Sequence, residues 1–231
     1  MRGLPKTAAG TGKPIAAARA SVAGEMVAAA KPSGAGEEIA ASHPSGAGEV
    51  IAVGGPFGAG EVIAIDGPSG AGKTTLGRAL AGELGAALVH MDDLYPGWDG
   101  LLGGVERLVE WVLRPRAEGR PARRRRYDWT LGAYAEWHEV PPSSPLVVEG
   151  AGAGAVAAGP YISRLIWVEA PPAVRRARAL DRDGDVYRPH WERWARQERA
   201  YFATDRVRDR ADLIIDTSEV PDALSAVLGS R

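Results

Sequence analysis

The chain contains no cysteine. Disulfides, thiolate metal sites and a cysteine nucleophile are therefore excluded. It also lacks an apolar run long enough to cross a bilayer, which takes about 20 residues. The opening MRGLPKTAAGTGKP has no compact apolar core of the kind a secretory signal carries, so a cytoplasmic location is expected, with no membrane partner. Neither sign of charge is in excess: 28 basic residues face 29 acidic ones, for a net charge of −1. That balance argues against a general binder of nucleic acid. Lysine is scarce. Of the 28 basic residues, the lysines are Lys6, Lys13, Lys31 and Lys73, and from residue 32 onward Lys73 stands alone among arginines. A position that keeps lysine against such a bias calls for a compact ammonium rather than a guanidinium.

What is present is a globular composition, 45% hydrophobic and 25% charged over 231 residues. This suits one ordinary domain with an appendage. The appendage is legible as a repeat of period 12: PSGAGEEIAASH from Pro32, PSGAGEVIAVGG from Pro44 and PFGAGEVIAIDG from Pro56, with fainter copies from Ala8 and Ala20. Units of Gly, Ala, Ser and Pro with two or three aliphatics cannot bury a core alone. Residues 1–60 are therefore expected to be a disordered, low-complexity segment, and the true start of translation can lie downstream of Met1.

From residue 61 the texture changes. Short aliphatic runs at Glu61–Asp66, Ala87–His90, Pro145–Glu149, Arg164–Glu169 and Ala211–Asp216 read as strands. Helical patterns at Thr74–Leu84, Val105–Ala117, Pro172–Arg182, Trp191–Val207 and Pro221–Leu228 alternate with them. Continuous apolar strands alternating with helices predict an α/β domain over 61–231, a doubly wound five-stranded parallel sheet with helices on both faces.

Gly67-Pro68-Ser69-Gly70-Ala71-Gly72-Lys73-Thr74 matches G-x-x-x-x-G-K-[ST], with a strand before it and a helix after it. Glycines let the backbone wrap a phosphate, and the helix N-terminus adds positive potential. Lys73 supplies a cation for the β- and γ-phosphates of ATP, Thr74 a hydroxyl for Mg²⁺, and Thr75 extends the loop. The repeats act as an internal control: Glu37, Glu49 and Glu61 stand where the loop has Lys73, and a carboxylate there repels phosphate.

Leu146-Val-Val-Glu149 ends a buried strand with one acid followed by glycine. Motor and switch NTPases add a second acid to activate water; a lone Glu149 suits a kinase, which must exclude water. Asp92 and Asp93 follow the second strand, where strand ends converge on the ligand crevice. An Asp there can accept a hydroxyl proton during attack on the γ-phosphate. Arg175, Arg178 and Arg182 are spaced to share a helical face, suited to neutralising a transferring phosphoryl group.

These pieces together resemble the uridine kinase-like family of P-loop small-molecule kinases. The resemblance rests on GPSGAGKTT at 67–75, DDLY at 92–95, YDW at 127–129, VVEG at 147–150, RALDRDG at 178–184 and RADLIID at 210–216. It implies a P-loop NTPase fold with an arginine-rich helical lid. It implies Asp92 as general base, Thr74 and Glu149 as Mg²⁺ holders, and Arg178 and Arg182 in the lid. Tyr95, Tyr127 and Asp128 would line the acceptor site, with Asp93 beside the base. The family's histidine and arginine after its Y-D-F are missing; the first basic residue here is His138, the candidate substitute.

Trp98, Trp129 and Trp137 are candidates to stack on a substrate ring, while Trp191 and Trp194 share a helical face that packs the lid or meets adenine. The Arg120–Arg126 run, five arginines in seven residues, reads as a solvated edge or an anion site. AGAGAVAAGPY after Glu149 reads as a loop near the acceptor, and residues 217–220 as the adenine-holding segment. The expected activity is transfer of the ATP γ-phosphate to a hydroxyl of a small molecule, a nucleoside such as uridine or cytidine. Two alternatives stand beside it: a kinase for a nucleoside monophosphate, sugar or sugar acid, and a nucleotide-binding regulator or slow ATPase.

Overall fold

The computed structural model describes residues 60–142, 144–219 and 222–228. The repeat units over residues 1–59 lie outside the described residues. Within them, β1 (Val62–Asp66), β2 (Ala87–His90), β5 (Leu146–Glu149), β6 (Arg164–Glu169) and β7 (Leu213–Asp216) form one sheet in the order β2-β5-β1-β6-β7. Every pairing in it is parallel, with Ile65 opposite Glu149 on one side and Ile166 on the other. The five expected strands and their parallel arrangement are therefore present.

All five residues of β1 are buried, which requires cover on both faces. Ile63 and Ile65 point to a cluster with Leu76 and Leu80 of α1 (Lys73–Leu84) and Val227 of α7 (Ala223–Leu228). Val62 and Ala64 point to the opposite cluster. That cluster is built from α2 (Leu101–Arg107), the π-helical turn Leu108–Leu113 that continues it, and α5 (Trp191–Asp205). Chain order reverses around β1: β2 and β5 lie on one side, β6 and β7 on the other. Such a reversal opens a crevice at the carboxyl ends of the strands.

Three local expectations change. The helix expected from Val105 begins at Leu101 and ends with α3 (Arg114–Ala117). Gly103 and Gly104 weaken the pattern there, yet a Cβ on Gly104 would lie 2.4 Å from the Tyr95 ring, so packing demands the small residue. The Arg120–Arg126 run is not merely a solvated edge: β3 (Ala122–Asp128) pairs antiparallel with β4 (Ala133–Val140) in a separate hairpin. The lid helix α4 (Pro172–Tyr187) runs past Arg182 but breaks at Gly184, whose φ of 55° and ψ of −135° are not helical. The short α6 (Val207–Arg210) then leads into β7.

Candidate active site

The phosphate loop leaves the end of β1 and closes on α1. Gly67 and Gly70 have φ of 141° and 78°, conformations that favour glycine. A Cβ at Gly67 would fall 2.0 Å from the Val168 carbonyl oxygen, and one at Gly70 would fall 2.1 Å from that of Arg175. Neither position has room for any other residue. The first turn of α1 carries no acid, so its N-terminus keeps its positive end open to an anion. Lys73 is buried with its Nζ donating to the Pro68 carbonyl at 3.0 Å, folded over the loop it serves.

Asp66, the residue just before the loop, is fully buried. It accepts from the amides of Gly67 at 2.6 Å and Gly154 at 2.8 Å, and from the Tyr201 hydroxyl at 2.7 Å. Burial pushes its carboxyl up to about 6, against the pull of these donors and of Lys73. The same bonds explain the AGAGAVAAGPY segment. Ala151, Ala153 and Ala155 are buried, Gly152 and Gly154 hold Asp66, and the segment is a packed support rather than a loop at the acceptor.

Glu149 ends β5 beside the loop. It is buried, accepts the Thr74 hydroxyl at 3.1 Å and contacts His90 Nδ1 at 2.5 Å. That hydrogen bond raises the His90 pKa above its ordinary value. Gly77 of α1 lies against the Glu149 side chain, where a Cβ would approach to 3.0 Å. The Thr74 hydroxyl and the Glu149 carboxylate form an all-oxygen pair, the hard donors that Mg²⁺ takes, and they fit the metal that accompanies a nucleoside triphosphate. Among the described residues no cluster of three or more His, Cys, Asp or Glu suits a resident metal.

Two cavities meet over this floor. The smaller, about 300 Å³, is bounded by Gly70, Gly72, Lys73 and Arg178, and is the pocket of the phosphate loop. The larger, about 620 Å³, holds Asp92 and His90 between aromatic walls that include Trp98, Trp129 and Trp194. Thr74, Thr75 and Arg182 line both, so they mark the junction.

Asp92 and Asp93 lie in the 3-10 turn Met91–Asp93 that follows β2. The Asp92 carboxyl is open to the cavity while protein surrounds it, and burial in the cleft together with Glu149 pushes it up to about 6. Asp93 pairs with Arg124 of β3 at 2.7 Å. Tyr95 lines the larger cavity with its ring, but its hydroxyl is spent on the Ala151 carbonyl at 2.6 Å.

Other expected residues lie elsewhere. Tyr127 packs edge-on against Trp129 and Tyr134 within the hairpin, outside the cavity lining. Asp128 accepts from the amides of Thr130 and Leu131 at 3.0 Å, closing the hairpin turn. His138 sits exposed on β4 against Glu136 at 3.1 Å. None of the three is brought to the larger cavity. Trp137 covers the guanidinium of Arg123 at 4.7 Å rather than facing the cavity. The arginine run is likewise spent locally: Arg124 on Asp93, Arg125 on the Ala135 carbonyl and Arg126 on Glu136. It supplies no anion site to either cavity.

Of the lid arginines, Arg175 braces the loop through the Ser69 carbonyl at 3.3 Å instead of facing the phosphates. Arg178 reaches Thr217 at 2.8 Å and Arg182 pairs with Asp183 at 2.6 Å. Ser69 turns both its amide and its hydroxyl to Glu198. Thr217 docks on the loop by donating to the Ala71 carbonyl at 2.8 Å. His90, Arg78 and Tyr187 also line the larger cavity and were not singled out by sequence reasoning. The position of His90 at the end of β2, two residues before Asp92, was the available signal.

A family model described as cytidylate kinase matches residues 63–97, the stretch from β1 through the phosphate loop to the Asp92 turn. A search of curated proteins finds no significant match. Among solved structures, a possible uridine kinase from Bacillus stearothermophilus aligns at 20% identity and a TM-score of 0.50, over 69% of this chain and 90% of that one. A shikimate kinase from Bacteroides thetaiotaomicron aligns at 16% identity and a TM-score of 0.43, over 72% of this chain and 92% of that one. A putative fructose transport system kinase from Silicibacter aligns at 19% identity and a TM-score of 0.42, over 72% and 93%. The first of these likenesses shows the fold, a P-loop α/β fold with a parallel sheet flanked by helices.

Proposed function

We propose that the protein is an ATP-dependent phosphotransferase that phosphorylates a hydroxyl of a small molecule, a nucleoside being the acceptor favoured. The observation that carries this reading is the junction of two cavities at Thr74, Thr75 and Arg182, one floored by the phosphate loop and the other holding Asp92. A nucleotide switch or ATPase has no use for a second cavity of about 620 Å³ beside its γ-phosphate. Here that cavity is walled by aromatic side chains, Trp98 stacked on His190 and Tyr187 among them, which give a small organic acceptor an apolar flank.

Lys73 and the loop amides hold the phosphates of Mg·ATP, and Arg178 flanks them. Thr74 and Glu149 are the residues that would hold Mg²⁺. When bound, the ion neutralises charge on the phosphates. The acceptor hydroxyl oxygen forms a bond to the γ-phosphorus as the bond to the β–γ bridging oxygen breaks, and ADP leaves. The hydroxyl proton passes to the Asp92 carboxylate. Arg182 at the junction offsets negative charge on the transferring group.

A coupled ADP-release assay tests this against nucleosides, nucleoside monophosphates, sugars and sugar acids. Low turnover with Mg·ATP alone and a large stimulation by a nucleoside is the expected result. Turnover indifferent to every acceptor would overturn it.

A further inference from the structure

The buried face of α5 is unusual. Its buried residues are Trp194, Glu198 and Tyr201, spaced i, i+4, i+7 on one side of an otherwise arginine-rich helix. All three carry a polar group, and all three groups are engaged. Glu198 Oε1 accepts the Ser69 amide at 2.9 Å, the Ser69 hydroxyl at 2.7 Å and the Trp194 indole N–H at 3.0 Å. Tyr201 donates to Asp66 at 2.7 Å. The helix thus grips the phosphate loop at its root and at Ser69.

Burying a carboxylate is costly unless its oxygens are well satisfied, and a core position would be served as well by an apolar residue. Glu198 is 4% exposed. Its hydrogen bonds go to one loop residue and to the indole that walls the larger cavity. Ser69 is held from the lid side too: Arg175 of α4 donates to its carbonyl at 3.3 Å. An amide spent on Glu198 is not a phosphate donor. Ser69 is thus a joint at which α4 and α5 hold the loop, rather than a direct ligand.

We propose that Glu198 is a positioning residue that fixes the phosphate loop through Ser69 and so sets the affinity for nucleotide. A loop held in its binding shape before the ligand arrives loses little freedom on binding, which appears as affinity. Trp194 gives the same carboxylate a contact with the acceptor side. This inference rests on the nucleotide reading of the loop above.

Calorimetric titration with Mg·ATP tests it, using the full chain, Glu198→Ala, Glu198→Gln and Ser69→Ala, each checked for folding by circular dichroism. Hydrogen bonds to a charged group contribute enough that Glu198→Ala should raise Kd about ten-fold or more. Glu198→Gln keeps an accepting oxygen and should stay within about three-fold of the parent. Such rescue by the amide separates positioning from packing alone. Ser69→Ala should weaken binding in the same direction, and it decides the matter if Glu198→Ala fails to fold. Folded variants that bind Mg·ATP as the parent does would overturn the clamp and leave the nucleotide site standing. A parent that binds no nucleotide would overturn both.

Discussion

Asp92 and Asp93 are neighbours in the chain with different surroundings. Asp93 is paired with Arg124, whereas Asp92 faces the cavity with its pKa pushed up to about 6. A base with that pKa is ionised above it and is lost as pH falls through it, so kcat/KM should rise with pH along an acid limb near 6. Asp92→Asn should lower turnover about 10²- to 10⁴-fold with Mg·ATP affinity retained. Loss of turnover in Asp93→Asn instead would move the base by one residue. The loop, Lys73, Asp92 and Glu149 were legible in sequence because their chemistry is tied to short spacings. Glu198 was not: its meaning depends on Ser69, 129 positions away, and a single acid in an arginine-rich helix reads as a surface ion pair.

At the scale of elements, the five parallel strands were legible because each is a short, largely apolar run, fully buried in β1 and β5 and partly open in the edge strands β2 and β7, where Ile214 is exposed. The hairpin of β3 and β4 was not. Its four consecutive arginines hide the strand pattern, and their stability comes from cross-strand and aromatic contacts such as Arg123 over Trp137 and Arg125 on the Ala135 carbonyl. The hairpin docks beside the site: Arg124 pairs with Asp93, and the Trp129 indole donates to the Asp92 carbonyl at 3.1 Å. Arg124→Ala should cost about 1–3 kcal/mol of stability by leaving Asp93 without its partner. It should also raise KM for the acceptor while Kd for Mg·ATP holds. Steady-state kinetics with thermal melting checks this, and an unchanged acceptor KM would detach the hairpin from the site.

For the whole molecule, the two apolar clusters on either face of the sheet run, among the described residues, from Val62 to Val227. The low-complexity composition of the repeats leads to the expectation that deleting residues 1–55 leaves both turnover and Tm close to those of the full chain; an insoluble product would mean that the repeats belong to the folded unit. The sheet order and the chain reversal at β1 place the phosphate-loop pocket and the Asp92 cavity side by side, and in the proposed reaction a phosphoryl group passes between them. The most direct measurement follows the label from [γ-³²P]ATP after incubation with the acceptor panel, with Lys73→Ala as the control. Label should appear on an organic acceptor with the full chain and not with Lys73→Ala. Label released only as inorganic phosphate, at a rate no acceptor changes, would contradict it.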